Sequence, residues 1–197
     1  MTDPTKSSPA SLNRNIRLDK FSSEGFDRGA SRLKEVFWVA FGQPLLRSSV
    51  PGSRWRVGLL RIFQARIGEG TVWKPGVRVK FPWRLIVGDH SWIGEDVWID
   101  NLAQVEIADH VCISQGAYLC TGNHDWSRET FDLITTPIFI SRGAWVGAKA
   151  LLAPGACIQE GCVVAAGSVA SGTLQPFAVY RGNPAIRAGA VNRVSIK

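Results

Sequence analysis

A parallel β-solenoid of six-residue repeats, entered through a short helical segment, is the fold class this sequence predicts. Three observations lead to it. From Ile67 onward, fourteen hexads begin at positions 67, 73, 79, 87, 93, 99, 107, 113, 119, 140, 146, 152, 158 and 164, and thirteen of them open with Ile, Val or Leu, Trp73 being the exception. The fifth position is small or β-branched in twelve of the fourteen, failing at Trp83 and Asn123. Glycine often stands at the second position, as at Gly68, Gly88, Gly94 and Gly147. An α-helix, at about 3.6 residues per turn, would scatter a strict period of six around its axis. Plain β-alternation would put the first and fifth positions on one face, yet it gives no reason for the punctuation. A coil of short strands joined by tight corners explains both. Three hexads make a coil of eighteen residues, and backbone pairing stacks such coils about 4.8 Å apart.

The elements follow in chain order. Residues 1–20 are polar and rich in Ser, Pro and Thr toward their start, and read as a disordered basic arm. Residues 21–66 read as helical: Leu33, Val36, Phe37 and Ala40 fall at helical spacing on one face, expected to point inward, and Pro44 is expected to end that helix. A second helix is expected over Ser53 to Gln64, with Trp55, Leu59, Ile62 and Phe63 inward. The solenoid spans 67–175, with Val105 and Glu106 adding two residues to one coil and an external loop over 125–139; residues 176–197 form a tail. A loop of that length inside a compact solenoid is more often functional than incidental.

Bulk properties narrow the class. With 45% hydrophobic and 20% charged residues over 197 positions, the chain can bury a core, which excludes wholesale disorder. Cys112, Cys120, Cys157 and Cys162 show neither CxxC spacing nor a cysteine–histidine cluster, so reduced thiols fit better than a disulfide frame or a zinc site. The first twenty residues lack an apolar h-region and the run Val36–Phe41 is too short to span a bilayer, so a cytoplasmic protein is expected. Residues 1–66 hold twelve Lys/Arg against five Asp/Glu, whereas residues 67–197 hold eleven of each, so the whole net charge of +7 sits in the first third. Such a patch suits anionic lipid headgroups, phosphorylated substrates or nucleic acid, and a merely solvated arm accounts for it equally well. Trp38 and Trp55 read as core residues, with a peripheral membrane helix as the minority reading. No nucleic-acid-reading motif or aromatic stacking platform accompanies the charge, so nucleic acid is set aside.

The segments SWIGEDVWIDNL (91–102), HVCISQGAYLCTGNHDW (110–126), GAWVGAKALLAPG (143–155), VVAAGSV (163–169) and RGNPA (181–185) carry a resemblance. Over roughly residues 20–190 the chain is similar to the left-handed β-helix acyltransferases of the hexapeptide-repeat family, and within it to the colanic acid biosynthesis acetyltransferase group. The left hand comes from that resemblance alone, since the usual preference for right-handed crossovers would predict the opposite. The resemblance implies an O-acetyltransferase that moves acetyl from acetyl-CoA, a co-substrate rather than a resident cofactor, to a sugar hydroxyl in exopolysaccharide or related glycan assembly. It implies a homotrimer with active sites between neighbouring chains, and no metal.

The resemblance makes His124, where the repeat breaks between Asn123 and Asp125, the general base; an imidazole titrates near neutrality and can take the hydroxyl proton. A plain corner histidine is the alternative. Asn101 and Asp125 carry over as acceptor contacts, although Asn also suits a β-corner. Trp145 and Ala148 carry over beside the thioester, through backbone N–H groups near GAWVGA, and Ala166 along the pantetheine arm. Relatives often show basic residues where this chain has Gly172 and Ile186; Arg187 and Arg193 are the nearest substitutes for gripping the CoA phosphates. The basic, Trp-rich first third suits a phosphorylated or lipid-linked glycan acceptor at the inner membrane face; a small free sugar or the amine of a nucleotide sugar would use much the same residues. Two other classes stay open. A zinc hydratase of the γ-carbonic-anhydrase type would need His90, His110 and His124 together, yet the first two occupy the fourth position of their hexads, one coil apart, and the third a sixth position. A non-catalytic scaffold would leave the TGNHDW break unexplained.

Overall fold

All fourteen hexad leaders are buried in the computed structural model of the chain, which describes residues 16–23 and 25–191. The chain divides into two units, residues 1–26 with 124–134, and residues 27–123 with 135–197.

The larger unit is a parallel β-solenoid with three faces. The first face stacks Arg66–Ile67, Leu85–Val87, Val105–Ile107, Ile138–Ile140, Cys157–Ile158 and Thr173–Leu174. The second stacks Val72–Trp73, Trp92–Ile93, Cys112–Ile113, Trp145–Val146, Val163–Val164 and Ala178–Arg181, with Ile186–Ala190 added antiparallel. The third stacks Arg78–Val79, Trp98–Asp100, Tyr118–Cys120, Leu151–Leu152 and Val169–Ala170. Leaders meet leaders in register, as in Ile93↔Ile113 and Val146↔Val164. The result is a ladder of aliphatic side chains up the axis, each worth about 1.5–3 kcal/mol of burial.

Coil length departs from a uniform eighteen. Ile67, Val87 and Ile107 are paired partners twenty residues apart, so two coils carry a wider corner. There Leu85 and Val105 take the inward place that Trp83 and Ala103 leave. The solenoid also runs beyond 175: Ala178–Arg181 pairs in parallel with Val163–Val164, so the expected tail contributes a strand to the second face. The external loop is shorter than expected, because Ile138–Ile140 already lies in the first face.

Helices close the open edge of the first coil. Ser31 caps α1 (Arg32–Phe37) by accepting from the Lys34 N–H, and a π-helical turn, Trp38–Gly42, leads into α2 (Gln43–Arg47). Pro44 therefore does not end the helix. It sits in the first turn of α2, next to the extra residue of the π turn, where a missing N–H is tolerated. Gly42 is needed here, since a β-carbon would lie 2.2 Å from the Trp38 ring. The inward face is Trp38, Gly42 and Leu46; Leu33, Val36, Phe37 and Ala40, expected inside, face out. The Trp38 indole donates to the Val79 carbonyl at 3.0 Å.

In α3 (Arg54–Ile62), Leu60 is buried; of the side chains expected inward, Leu59 and Phe63 pack against the core, whereas Ile62 is 77% exposed. Arg56 is fully buried, and its guanidinium donates to the carbonyls of Leu46 (3.2 Å), Ser48 (2.5 Å), Val50 (2.8 Å) and Gly52 (2.6 Å). Ser53 accepts the Trp73 N–H at 2.7 Å, pairing an otherwise open strand. No helix among the described residues is long and apolar enough to cross a membrane. All four cysteines are free thiols, and burial pushes Cys162 up to about 11.

In the smaller unit Leu18–Lys20 forms a 3₁₀ turn, so the expected disordered arm is ordered from residue 16; its first fifteen residues lie outside the described ones. The Arg17 N–H donates to the Glu129 carbonyl at 2.8 Å and Lys20 pairs with the Glu129 carboxylate at 2.8 Å.

Candidate active site

His124 is the last residue of the strand Gly122–His124 by which the chain leaves the solenoid; the chain returns on Leu133–Thr135, paired with it. Its Nδ1 lies 2.8 Å from the Phe131 carbonyl oxygen. A carbonyl only accepts, so Nδ1 carries the proton in the neutral ring and the lone pair falls on Nε2. The Phe131 ring stacks on the imidazole at 4.3 Å and 2°, and the Phe21 ring meets it edge-on at 5.6 Å and 62°. Phe131 holds φ at 52°, a left-handed conformation that a bulky residue rarely adopts. One residue thus supplies both the carbonyl and the ring that fix the imidazole.

Asp125 caps the loop. Its carboxylate accepts from the Ser127 N–H (3.0 Å) and hydroxyl, and those hydrogen bonds hold its pKa below the usual carboxylate range. Arg128 bridges Asp125 (3.5 Å) and Asp132 (2.9 Å). Asp125 therefore orders the turn that presents Phe131.

Asn101 does not fit an acceptor contact in this geometry. It is fully buried; its Oδ1 accepts the Phe81 N–H at 2.9 Å and its Nδ2 donates to the Phe81 carbonyl at 2.7 Å. The amide closes the widened corner, doing for Phe81 what a strand partner would do. In the next coil Thr121 closes the equivalent corner, accepting the Ala103 N–H at 3.0 Å.

Trp145, Ala148 and Ala166 do come together, on neighbouring coils. Trp145 pairs with Val163, and the Gly147 N–H donates to the Val164 carbonyl. A β-carbon at Gly147 would lie 2.6 Å from the Ala166 nitrogen, so only glycine admits this approach. Trp145 is half exposed, and its indole is pinned by a 2.8 Å bond to the Ser114 hydroxyl. Its backbone N–H is already spent on Cys162, whereas those of Ala148 and Ala166 have no partner among the described residues. The two alanines thus form a short column of outward N–H donors, and Trp145 contributes a side-chain surface instead of an amide.

The column stops at the Arg181–Gly182 turn, where the Gly182 N–H donates to the Ser168 hydroxyl at 3.1 Å. Arg187 stands opposite Tyr180, and Ile186 opposite Arg181. Both arginines are exposed, without an acidic partner among the described residues. Arg181 was legible only within RGNPA, not as a cation at the end of this column; Arg193 lies outside the described residues. Phe131 and Phe21 had no sequence signal, because a backbone carbonyl carries no residue preference.

His90 and His110 stack at 5.3 Å and 20°, as their hexad positions predict. Among the described residues no three His, Cys, Asp or Glu side chains are grouped to hold a metal ion.

No protein-family model matches the chain. It is 40% identical over 170 residues to WcaF of Escherichia coli K12, named for acetyl transfer in colanic acid biosynthesis, covering 86% of this chain and 93% of that one. It is 26% identical over 132 residues to the galactoside O-acetyltransferase of the same organism, covering 66% and 65%. A hexapeptide-repeat acetyltransferase of Vibrio cholerae superposes with a TM-score of 0.74 at 25% identity, covering 83% and 96%; its structure with acetyl coenzyme A gives 0.75 at 24%, covering 84% and 92%. The fold and these relatives define the class, a hexapeptide-repeat β-helix acyltransferase. The relationship to WcaF goes further: the chain belongs to the colanic acid biosynthesis acetyltransferase family and is an acetyltransferase.

Proposed function

We propose that the chain transfers acetyl from acetyl-CoA to a sugar hydroxyl in exopolysaccharide or related glycan assembly, with His124 as general base. The observation that carries this reading is the 2.8 Å bond between His124 Nδ1 and the Phe131 carbonyl, which leaves Nε2 as the basic nitrogen. In the reaction Nε2 takes the proton of the acceptor hydroxyl while its oxygen attacks the thioester carbonyl carbon. The tetrahedral intermediate collapses with cleavage of the C–S bond, and the imidazolium returns the proton to the departing thiolate. Outward amides such as those of Ala148 and Ala166 suit the thioester oxygen and the pantetheine amides, while Arg181 and Arg187 suit the CoA phosphates. A homotrimer completes the proposal, with neighbouring chains facing one another across each site. The named role of WcaF favours a glycan over a small free sugar.

His124→Ala is expected to lower turnover at least about a hundredfold, followed by free-thiol release, while acetyl-CoA affinity by calorimetry stays within about twofold. A variant retaining half its turnover would remove the general-base role, and a wild type that binds no acetyl-CoA would remove the proposal itself.

A further inference from the structure

The outward side of the N-terminal helices carries a surface that the solenoid does not use. Leu33, Phe37, Phe41 and Leu45 recur at every fourth position and are 73, 57, 67 and 49% exposed. Val36 and Ala40 stand exposed beside them. The buried stripe of the same segment, Trp38, Gly42 and Leu46, lies one residue further on, so this is a second apolar face. Phe37 and Phe41 lie 6.1 Å apart and together form its broadest region. No polar side chain interrupts the stripe, and an apolar patch of this kind marks an interaction site.

Charge selects the occupant. Residues 27–66 hold eight Arg/Lys against two acidic residues, Asp27 and Glu35. Glu35 is already paired with Arg28 at 2.5 Å, and Arg32 stands exposed next to the stripe with no acidic partner among the described residues. A second copy of the chain would offer a solenoid whose eleven acidic residues over 67–197 are matched by eleven basic ones, with no acidic excess to complement these cations. An anionic bilayer offers both an apolar layer for the stripe and headgroups for the arginines.

We infer that Leu33–Leu45 lies in the headgroup–acyl boundary of an anionic membrane, with Phe37 and Phe41 inserted and Arg32 among the headgroups. This differs from an anchor built on Trp38, which faces the core. It is independent of acetyl transfer, and its readout needs no acceptor.

The full-length protein is sedimented with phosphatidylcholine vesicles with and without phosphatidylglycerol. Binding is expected to favour the anionic vesicles. Phe37→Ser/Phe41→Ser should weaken it roughly tenfold or more per ring, and Arg32→Gln about fivefold on anionic vesicles with little change on neutral ones. Since these side chains are exposed, the variants should melt as wild type does; Leu33→Ser/Leu45→Ser provides a second pair if they do not. Wild type remaining in the supernatant would overturn the inference, as would serine variants that bind equally well. A fall in the mass of the vesicle-free protein in the Phe37/Phe41 variant would assign the stripe to contact between copies and overturn it too.

Discussion

Phe131 fixes the imidazole of His124 through both its ring and its carbonyl, and its backbone is strained to do so. Left-handed geometry in a non-glycine residue costs on the order of 1–2 kcal/mol, which the loop offsets through the Asp125–Ser127 and Arg128–Asp132 contacts. Both Gly and Leu keep the carbonyl at 131; Gly relaxes the backbone and removes all side-chain bulk, whereas Leu keeps the strain and loses only the flat ring. Under the proposed function both should lower kcat, by roughly ten- to a hundredfold, with KM for acetyl-CoA little changed and Gly the worse of the two. If Gly retains wild-type kcat, the stacking has no positioning role. At this scale the sequence was uneven. His124 stood out because it breaks a repeat, whereas Phe131 did not, since neither a positive φ nor a carbonyl bond is written in its residue type. Asn101 was legible as a corner residue and misread as a ligand contact, because an amide that pairs with backbone looks the same as one that meets a sugar.

Among the elements, the link between α2 and α3 depends on Arg56. Its buried guanidinium gathers four carbonyls from residues 46–52, two of them at the end of α2 where the helix dipole favours a cation. Arg56→Met is expected to lower stability by roughly 2–4 kcal/mol, seen as a lower urea midpoint, because those acceptors lose charged donors. Lysine should not restore it, since a point charge cannot reach four carbonyls in a plane; a midpoint unchanged in either variant would refute this account. The hexads were legible since a period of six has few physical solutions, and burial agrees at every leader. The outer helices were not. Residues 33–46 are apolar on two sides, and a π turn shifts the phase between them, so spacing alone could not say which side faces the core. The widened corners passed unnoticed where Val79 is followed by Val87 instead of residue 85, because Trp83 masked the missing small residue.

For the molecule as a whole, the ends of the solenoid matter more than its middle. Every coil but the terminal ones pairs on both sides, and an unpaired coil is a template for another chain. At the start, Ser53, Trp38 and the Arg47 carbonyl take up groups of residues 71–79 that no coil would otherwise meet. At the far end, Ile186–Ala190 folds back antiparallel on Ala178–Arg181. Removing residues 1–66 should therefore leave a solenoid that associates through its first coil, with sedimentation velocity showing species above the full-length assembly. A truncated protein of unchanged assembly number would mean that the helices do not guard that edge.

The neck of the excursion has an evolutionary consequence. Ile107 pairs with Ile140 as any two successive leaders do, although thirty-three positions separate them, and the Thr136 N–H closes onto the Thr121 carbonyl at 2.9 Å. The stack is thus complete at this level whatever the intervening residues spell. Changes at Ser127 to Thr130 can therefore accumulate without moving the leaders on either side, since the stack above and below is joined through its own backbone. The ladder is thus inherited independently of the length and wording of the excursion.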